Sequence, residues 1–371
     1  MSKNTPFLMN LDGSIMRRKS RCIMVGTVPI GGNSPVSIQS MTNTDTRNPE
    51  TTLEQIESVA TAGGDIIRVA VPDNAALKAL PTIVTESSLP VIADIHFDYR
   101  LALGALDAGV ACIRINPGTM QDIKHREELA AAAAANNSAI RIGINSGSLE
   151  ADILQSHGGA ASGALIESAL RHCRFFEERG CSKIKVSLKS SNVPTTVAAC
   201  RAFAAQADYP LHLGVTEAGT VQTGTIKSAA GIGCLLLEGI GDTIRVSLTA
   251  PPEKEIMVAI KLLESVGLRE AHPEIVACPT CGRTEIDLLP IAEKVEREIQ
   301  SMKNDGYTFK INKIAIMGCV VNGPGEARDA DLGIAGGQHS GVLFRKGKVV
   351  SKVPEGELAD VLIKELRAAA E

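Results

Sequence analysis

Short apolar runs rich in β-branched residues recur along the first two thirds of the chain. Each ends in polar residues, and each is followed by a stretch with helical spacing. The runs occupy 36–40, 65–71, 90–95, 111–116, 139–145, 183–188, 211–216 and 243–248. Between them, Leu53, Ile56, Val59 and Ala60 share one face of a helix predicted over 51–62. Residues 126–135 hold six consecutive alanines, the strongest helix former, and close on Asn136-Asn137, where a helix breaker belongs. Segments 164–179 and 253–266 read the same way. Strands alternating with helices imply a parallel sheet, and eight such units imply a closed (β/α)8, TIM-type barrel. A doubly wound sheet would place a glycine-rich phosphate turn after its first strand. Here Gly31-Gly32 precede that strand and Gly231-Ile232-Gly233 lacks a third glycine, so these read as turn and close-packing residues.

Past Gly267 the grammar changes. A polar link over 269–274 leads to Cys278-Pro279-Thr280-Cys281, then a helix over 286–302, a strand ending before Cys319, a hairpin pair at 341–345 and 348–353, and a last helix from Glu355. This predicts a small α+β domain. The expected division is a mobile leader at 1–20, a barrel at 21–270 and the second domain at 271–371. In the leader, the basic cluster Arg17-Arg18-Lys19 follows the weakly apolar part, the reverse of a signal peptide.

Composition narrows the function classes. A formal net charge of -4 leaves no general nucleic-acid footprint. The absence of Trp and an aromatic content of 3% argue against base-stacking surfaces. No apolar run approaches bilayer length. Nine scattered cysteines, an odd number, do not form a disulfide framework and suit a reducing compartment, so the expected location is the cytoplasm.

Two cysteines separated by two residues can face one metal centre, and Cys319 at a strand end can join Cys278 and Cys281. Glu326, beyond a glycine-rich turn, is the nearest oxygen donor for a fourth position. A Cys3His zinc site drawing on His272 or His339 is the alternative. The missing second C-x-x-C pair favours an iron–sulfur cluster over a zinc ribbon.

The C-terminal strand ends of a (β/α)8 barrel form its active face. The polar residues there are Arg68, Asp94 with His96, Arg114 with Asn116, Arg141 with Asn145, Lys185 with Ser187 and Lys189, Thr216 with Glu217, and Arg245 with Ser247. So many cations at one mouth require a polyanion, and the number of donors suits a diphosphate. Glu217 reads either as a group that holds or deprotonates a substrate hydroxyl, or as a counter-ion to one arginine.

The runs QSMTNT, ADIHFDYR, RINPG, RIGINSGSLE, LHLGVTEAG, EGIGDTIRVSL, ACPTCGR and IMGCVVNGPGEA resemble those of the bacterial 4-hydroxy-3-methylbut-2-en-1-yl diphosphate synthases. The resemblance covers roughly residues 17–345. It implies a (β/α)8 barrel followed by an iron–sulfur domain like half of a sulfite or nitrite reductase module. It further implies a [4Fe–4S] cluster on Cys278, Cys281, Cys319 and Glu326, with Glu326 also catalytic as a leaving ligand. Substrate contacts would fall on Arg68, Asp94, His96, Arg114, Arg141, Asn145, Lys185, Arg245 and Ser247, with Glu217 as the family's important acidic residue. The implied reaction is reductive ring opening and dehydration of 2-C-methyl-D-erythritol 2,4-cyclodiphosphate, in isoprenoid biosynthesis, with flavodoxin or ferredoxin as donor.

Topology adds an expectation about assembly. The eighth barrel helix ends on the face opposite the mouth, at least a strand length away, about 17–20 Å. A homodimer in which each cluster domain caps the partner's barrel resolves this. Two other readings stay open: a pteroate-synthase-like lyase or transferase with a structural zinc module, and a redox-sensing barrel that binds a diphosphate without turning it over.

Overall fold

The computed structural model describes residues 13–96, 98–120, 122–270, 273–319 and 327–371. The chain divides into two compact units, 1–269 and 270–371.

The first unit opens with a hairpin, β1 (Ile23–Val25) and β2 (Val28–Ile30). Then come β3 (Ser37–Met41), β4 (Ile66–Ala70), β5 (Val91–Ile95), β6 (Cys112–Ile115), β7 (Ala139–Asn145), β8 (Ile184–Lys189), β9 (His212–Leu213) and β10 (Thr243–Ile244). These eight are parallel neighbours in the order β8-β7-β6-β5-β4-β3-β10-β9. A parallel bridge from Val186 to Leu211, with the Val186 amide donating to Pro210 O at 2.9 Å, joins the two ends, so the sheet closes. The expected barrel is present. Its last two strands are shorter than expected, because the ladder stops at Leu213 and Ile244.

Helices α1 (Pro49–Thr61), α2 (Asn74–Glu86), α3 (Tyr99–Asp107), α4 (Ile123–Ala135), α5 (Ala151–His157), α6 (Ser162–Glu177), α7 (Val193–Ala204), α8 (Val221–Ser228), α9 (Cys234–Leu237) and α10 (Pro252–Ser265) follow the strands. Asn136 caps α4, and Asn137 takes φ 55°, ending the alanine run as expected. Gly231 and Gly233 lie in a π-helical turn (Ala229–Gly233) between α8 and α9, not in an open turn. Gly231 does serve close packing, since a Cβ there would sit 2.9 Å from the Val215 side chain.

Strand side chains alternate between two environments. Ile38, Ile67, Val69, Ala93, Ile113, Ile140, Ile142 and Val186 pack with the helices in one large core. The alternate residues face the lumen, and from Gln39 and Arg68 upward they are mostly polar. At the lowest level the lumen is apolar. Ile66, Ile92, Cys112 and Ala139 pack with Ile23, Val25 and Ile30 of the hairpin. The hairpin therefore plugs the N-terminal ends of the strands.

The leader expected at 1–20 lies partly outside the described residues. What is described of it is held to the barrel. Arg17 reaches Ser34 O and the Asp242 carboxylate, the latter at 3.1 Å. Arg18 donates to Ala207 O and Tyr209 O, and Ser20 Oγ donates to Asp242 at 2.7 Å. Asp242 also accepts from the Leu211 amide at 2.8 Å and is buried.

In the second unit, β11 (Glu274–Ala277), β12 (Lys313–Met317), β13 (Leu332–Gly337), β14 (Ser340–Arg345) and β15 (Lys348–Pro354) form one sheet in that order. The first three are parallel and the last two antiparallel. Helices α11 (Leu288–Asn304) and α12 (Leu358–Ala368) pack on it through Val295, Ile299, Leu362 and Leu366. β11 and β13 are additions to the elements read from the sequence.

Asp242→Ala leaves two guanidinium groups without their buried acceptor. Chemical denaturation should show a loss on the order of 3 kcal/mol.

Candidate active site

Every barrel residue predicted to meet substrate faces the lumen or rim at the C-terminal ends of the strands. A cavity of about 350 Å³ opens there, lined by Arg68, Asp94, His96, Arg114, Arg141, Asn145, Lys189, Glu217, Arg245, Ser247 and Glu255. Lys185 is the exception. It is fully buried, one turn of the alternation deeper on β8, and it does not line the cavity. Lys189, Ser187 and Thr216 do. Lys185 stands beside Arg141, whereas Lys189 stands beside Asn145, nearer the rim.

Asp94 organises one wall. Its carboxylate lies 3.1 Å from Arg114 Nη1 and 3.5 Å from Arg68 Nη1. His96 Nε2 lies 2.9 Å from the same Arg114 nitrogen and 3.6 Å from Asp94. Burial opposes the Asp94 charge, but Arg68, His96 and Arg114 outweigh it and hold the carboxyl well below the usual range. Glu255, in the first turn of α10, anchors another arginine of the cavity. It faces Arg245 at 3.4 Å, accepts from Ser40 Oγ at 2.8 Å, and accepts from the Leu248 amide at 3.0 Å. Glu255 was not a sequence candidate, because an acid in a helix's first turn reads as a dipole partner.

Among the described residues no carboxylate forms a salt bridge with Arg141. It is 2% exposed, and its Nε and Nη1 have no hydrogen-bond partner among the described residues. Burial, with Arg68 and Arg114 beside it, works against its charge. A guanidinium keeps its proton under such pressure, so the pressure becomes affinity for an anion. Lys185 Nζ, both Gln39 side-chain polar atoms and both His212 ring nitrogens are likewise buried without hydrogen-bond partners among the described residues. Burial pushes Lys185 down to about 8. Buried polar atoms in such numbers call for an outside partner, either ligand or water.

Glu217 stands at the rim, exposed, with φ 53°. A left-handed backbone is strained for a glutamate and aims the side chain away from the strand direction. Among the described residues no salt bridge holds Glu217, although it shares the cavity with the arginines. Two glycines set the spacing. A Cβ on Gly143 would sit 2.7 Å from Arg114 Nε, and one on Gly214 would sit 2.6 Å from Lys189 Nζ.

In the second unit, Cys278 follows β11 and Cys319 lies two residues past β12, at the same end of two paired parallel strands. Cys281 is exposed, and Cys278 and Cys319 are partly and largely buried. All nine cysteines are free thiols. The Gly318 amide donates to Cys278 Sγ at 3.2 Å, a bond that steadies a thiolate. Hydrogen bonding from the Arg283 backbone, followed by its side chain and charge, lowers the Cys281 pKa. Three unpaired thiols on adjacent strand ends, one of them acidified, suit a soft metal centre. Among the described residues no group of three or more His, Cys, Asp or Glu is drawn together tightly enough to hold an ion. Glu326 and His272 lie outside the described residues.

Residues 20–260 match the family described as GcpE TIM-barrel domain, and residues 274–368 match the GcpE protein C-terminal domain. The chain is similar to the 4-hydroxy-3-methylbut-2-en-1-yl diphosphate synthase (flavodoxin) of Geobacter sulfurreducens, 53% identical over 351 residues, covering 95% of this chain and 98% of that protein. It is also similar to the proteins of the same name from Desulfotalea psychrophila, 51% identical over 96% of this chain and 97% of that one, and from Clostridium acetobutylicum, 51% identical over 95% and 99%. The chain belongs to the GcpE family.

Gly143→Ala should push the Arg114 guanidinium off Asp94 while the barrel stays folded. Calorimetric titration with inorganic pyrophosphate should show affinity reduced about tenfold, the equivalent of ~1.4 kcal/mol.

Proposed function

We propose that this GcpE-family chain is an iron–sulfur oxidoreductase. Its reaction is the reductive ring opening and dehydration of 2-C-methyl-D-erythritol 2,4-cyclodiphosphate to 4-hydroxy-3-methylbut-2-enyl diphosphate, in isoprenoid biosynthesis. The observation that carries this reading is the arginine-lined cavity with the unpartnered Arg141 at its wall, on a chain half identical to synthases of that name.

Arg68, Arg114, Arg141 and Arg245 bind the two phosphate groups of the ring. A guanidinium fork suits phosphate oxygens, and each charge-assisted bond contributes about 1.5–3 kcal/mol. Asp94 and Glu255 do not compete with the ligand. They fix the forks of Arg68, Arg114 and Arg245, so little side-chain freedom is lost on binding. Asn145 and Ser247 offer neutral hydrogen bonds at the rim. His96, beside Arg114 and Asp94, orients that pair. Glu217 holds a substrate hydroxyl and exchanges a proton with it.

A [4Fe–4S] cluster on Cys278, Cys281, Cys319 and Glu326 supplies, when bound, electrons one at a time, which no side chain can do. The free thiols and the Gly318 amide on Cys278 support that ligand set. The word flavodoxin in the relatives' names supports flavodoxin as the donor, with ferredoxin the alternative. Nine free cysteines support a cytoplasmic setting. Among the described residues no helix is long and apolar enough to cross a membrane. The proposal includes a homodimer in which each cluster domain serves the partner's barrel. The exit of the chain from α10, on the barrel face away from the mouth, supports it.

Anaerobically reconstituted protein should turn over the cyclodiphosphate with a chemical reductant. Arg141→Met should lower kcat/KM by about 100-fold or more. Glu217→Gln should lower kcat by about 100-fold with little change in KM. Iron-replete protein that binds the cyclodiphosphate yet never converts it would exclude the activity. Mixing Cys319→Ala chains with Arg141→Ala chains should restore partial turnover in purified heterodimers. Heterodimers without activity would exclude the cross-subunit arrangement.

A further inference from the structure

Four of the cations around the cavity are arginines, which keep their charge. The fifth, Lys189, is a lysine, which need not. Lys189 is the last residue of β8, in register with Asn145 on β7. Its ammonium end lies over Gly214 on the continuation of β9, close enough that a Cβ there would sit 2.6 Å from Nζ. From the neighbouring strands it faces Arg141 on β7, Arg68 and Arg114 on β4 and β6, and Arg245 beyond β10. The carboxylates within reach of the cavity are committed elsewhere: Asp94 to Arg68 and Arg114, and Glu255 to Arg245. Glu217 stands at the rim, exposed to solvent. Among the described residues no hydrogen bond or ion pair holds Lys189.

We propose that binding of the diphosphate raises the proton occupancy of Lys189, which lines the cavity with Arg68, Arg114, Arg141 and Arg245, so that ligand and proton are taken up together. Burial and then Arg141, Arg245, Arg68 and Arg114 set the Lys189 pKa well below that of an ordinary lysine. Two phosphate charges arriving among these groups reverse the field and favour the ammonium. The pKa is therefore raised by binding. Uptake occurs at pH values between the free and bound pKa, and affinity falls as pH rises through that window. A lysine at this place lets the protein carry less self-repulsion before binding without losing a phosphate contact afterwards.

The other titratable neighbours are distinguishable. His96 is close to half exposed and sits beside Arg114 and Asp94. Lys185 is sealed beneath the cavity. His212, on β9, is buried with Lys189, Arg141 and Lys185 around it, and after burial these charges keep it neutral.

The proposal rests on reading the mouth as a diphosphate site, and the test separates the two. Each phosphate of the cyclodiphosphate has a single, strongly acidic hydroxyl, so the ligand itself does not titrate near neutrality. The measurement is titration calorimetry at about pH 8 in two buffers of different ionisation enthalpy, with the cyclodiphosphate and, separately, sulfate. Wild type should take up protons with the cyclodiphosphate. Lys189→Arg should bind without uptake, and Lys189→Met should bind about tenfold more weakly, also without uptake. Lys185→Met and His96→Gln should keep the uptake. Binding with no buffer-dependent heat in wild type, or uptake that survives in both Lys189 variants, overturns the proposal alone. Folded protein that binds neither probe overturns the anion site and the proposal together.

Discussion

Positive charge that the protein does not itself neutralise is the constraint on which the barrel is built. Arg68, Arg114, Arg141 and Arg245 face one lumen, with the titratable amines of Lys185 and Lys189 beside them, against the carboxylates of Asp94 and Glu255 inside and Glu217 at the rim. At an effective dielectric of about 20, two like charges 4 Å apart repel by about 4 kcal/mol. Such a lumen cannot hold a barrel together. The stabilising contacts lie elsewhere, in the layer between strands and helices, where Ile67, Val69, Ile140, Ile142 and Val186 are buried with the helix faces. The hairpin at 23–30 closes the lower end with apolar side chains. Asp242 ties Arg17 and Arg18 to that end as well. A (β/α)8 barrel usually fills its interior with branched apolar side chains. This one confines apolar side chains to the lower end of the lumen and gives the upper part to chemistry.

The two buried carboxylates are too few to cancel the cations, and their positions show what they do instead. Asp94 touches two arginines and neighbours His96, while Glu255 fixes Arg245 and is itself fixed by Ser40 and the Leu248 amide. Each carboxylate sets the direction of the guanidinium forks beside it. Gly143 and Gly214 do the complementary work by leaving room, one for Arg114 and one for Lys189. Orientation comes from the acids and space from the glycines. The charge left over is what an anion meets.

Much of this was legible in the sequence, because the strands alternate. Apolar residues at every second position mark the face toward the helices, so the opposite face and its arginines follow directly. Depth was not legible. Lys185 and Lys189 share the inner face of β8, and the packing around them decides which of them reaches the cavity. β13 was missed because Gly333 and Gly336 dilute its apolar pattern. The fold requires those glycines: a Cβ on Gly333 would sit 2.3 Å from Ala315 O and 2.4 Å from the Phe344 ring. The role of Arg17-Arg18 was invisible for a different reason. Their acceptor, Asp242, lies more than half the chain away, and a basic run beside a weakly apolar segment carries no mark of a distant partner.

Both units put their reactive side chains at the same kind of place. In the barrel, the arginines stand at the carboxyl ends of parallel strands. In the second unit, Cys278 and Cys319 follow the carboxyl ends of β11 and β12, which are also parallel and in register from Glu274 and Lys313 to Ala277 and Ile316. A parallel pair must send both chains out at the same edge, so residues far apart in sequence leave side by side. Backbone amides just past the ladder are free to point at whatever collects there, as the Gly318 amide does at the Cys278 sulfur. The second sheet keeps its parallel part small, two strand pairs, and turns antiparallel at β14 and β15. That arrangement is enough to bring two thiol-bearing loops to one edge. The barrel needs more strands because its ligand must be met from several sides.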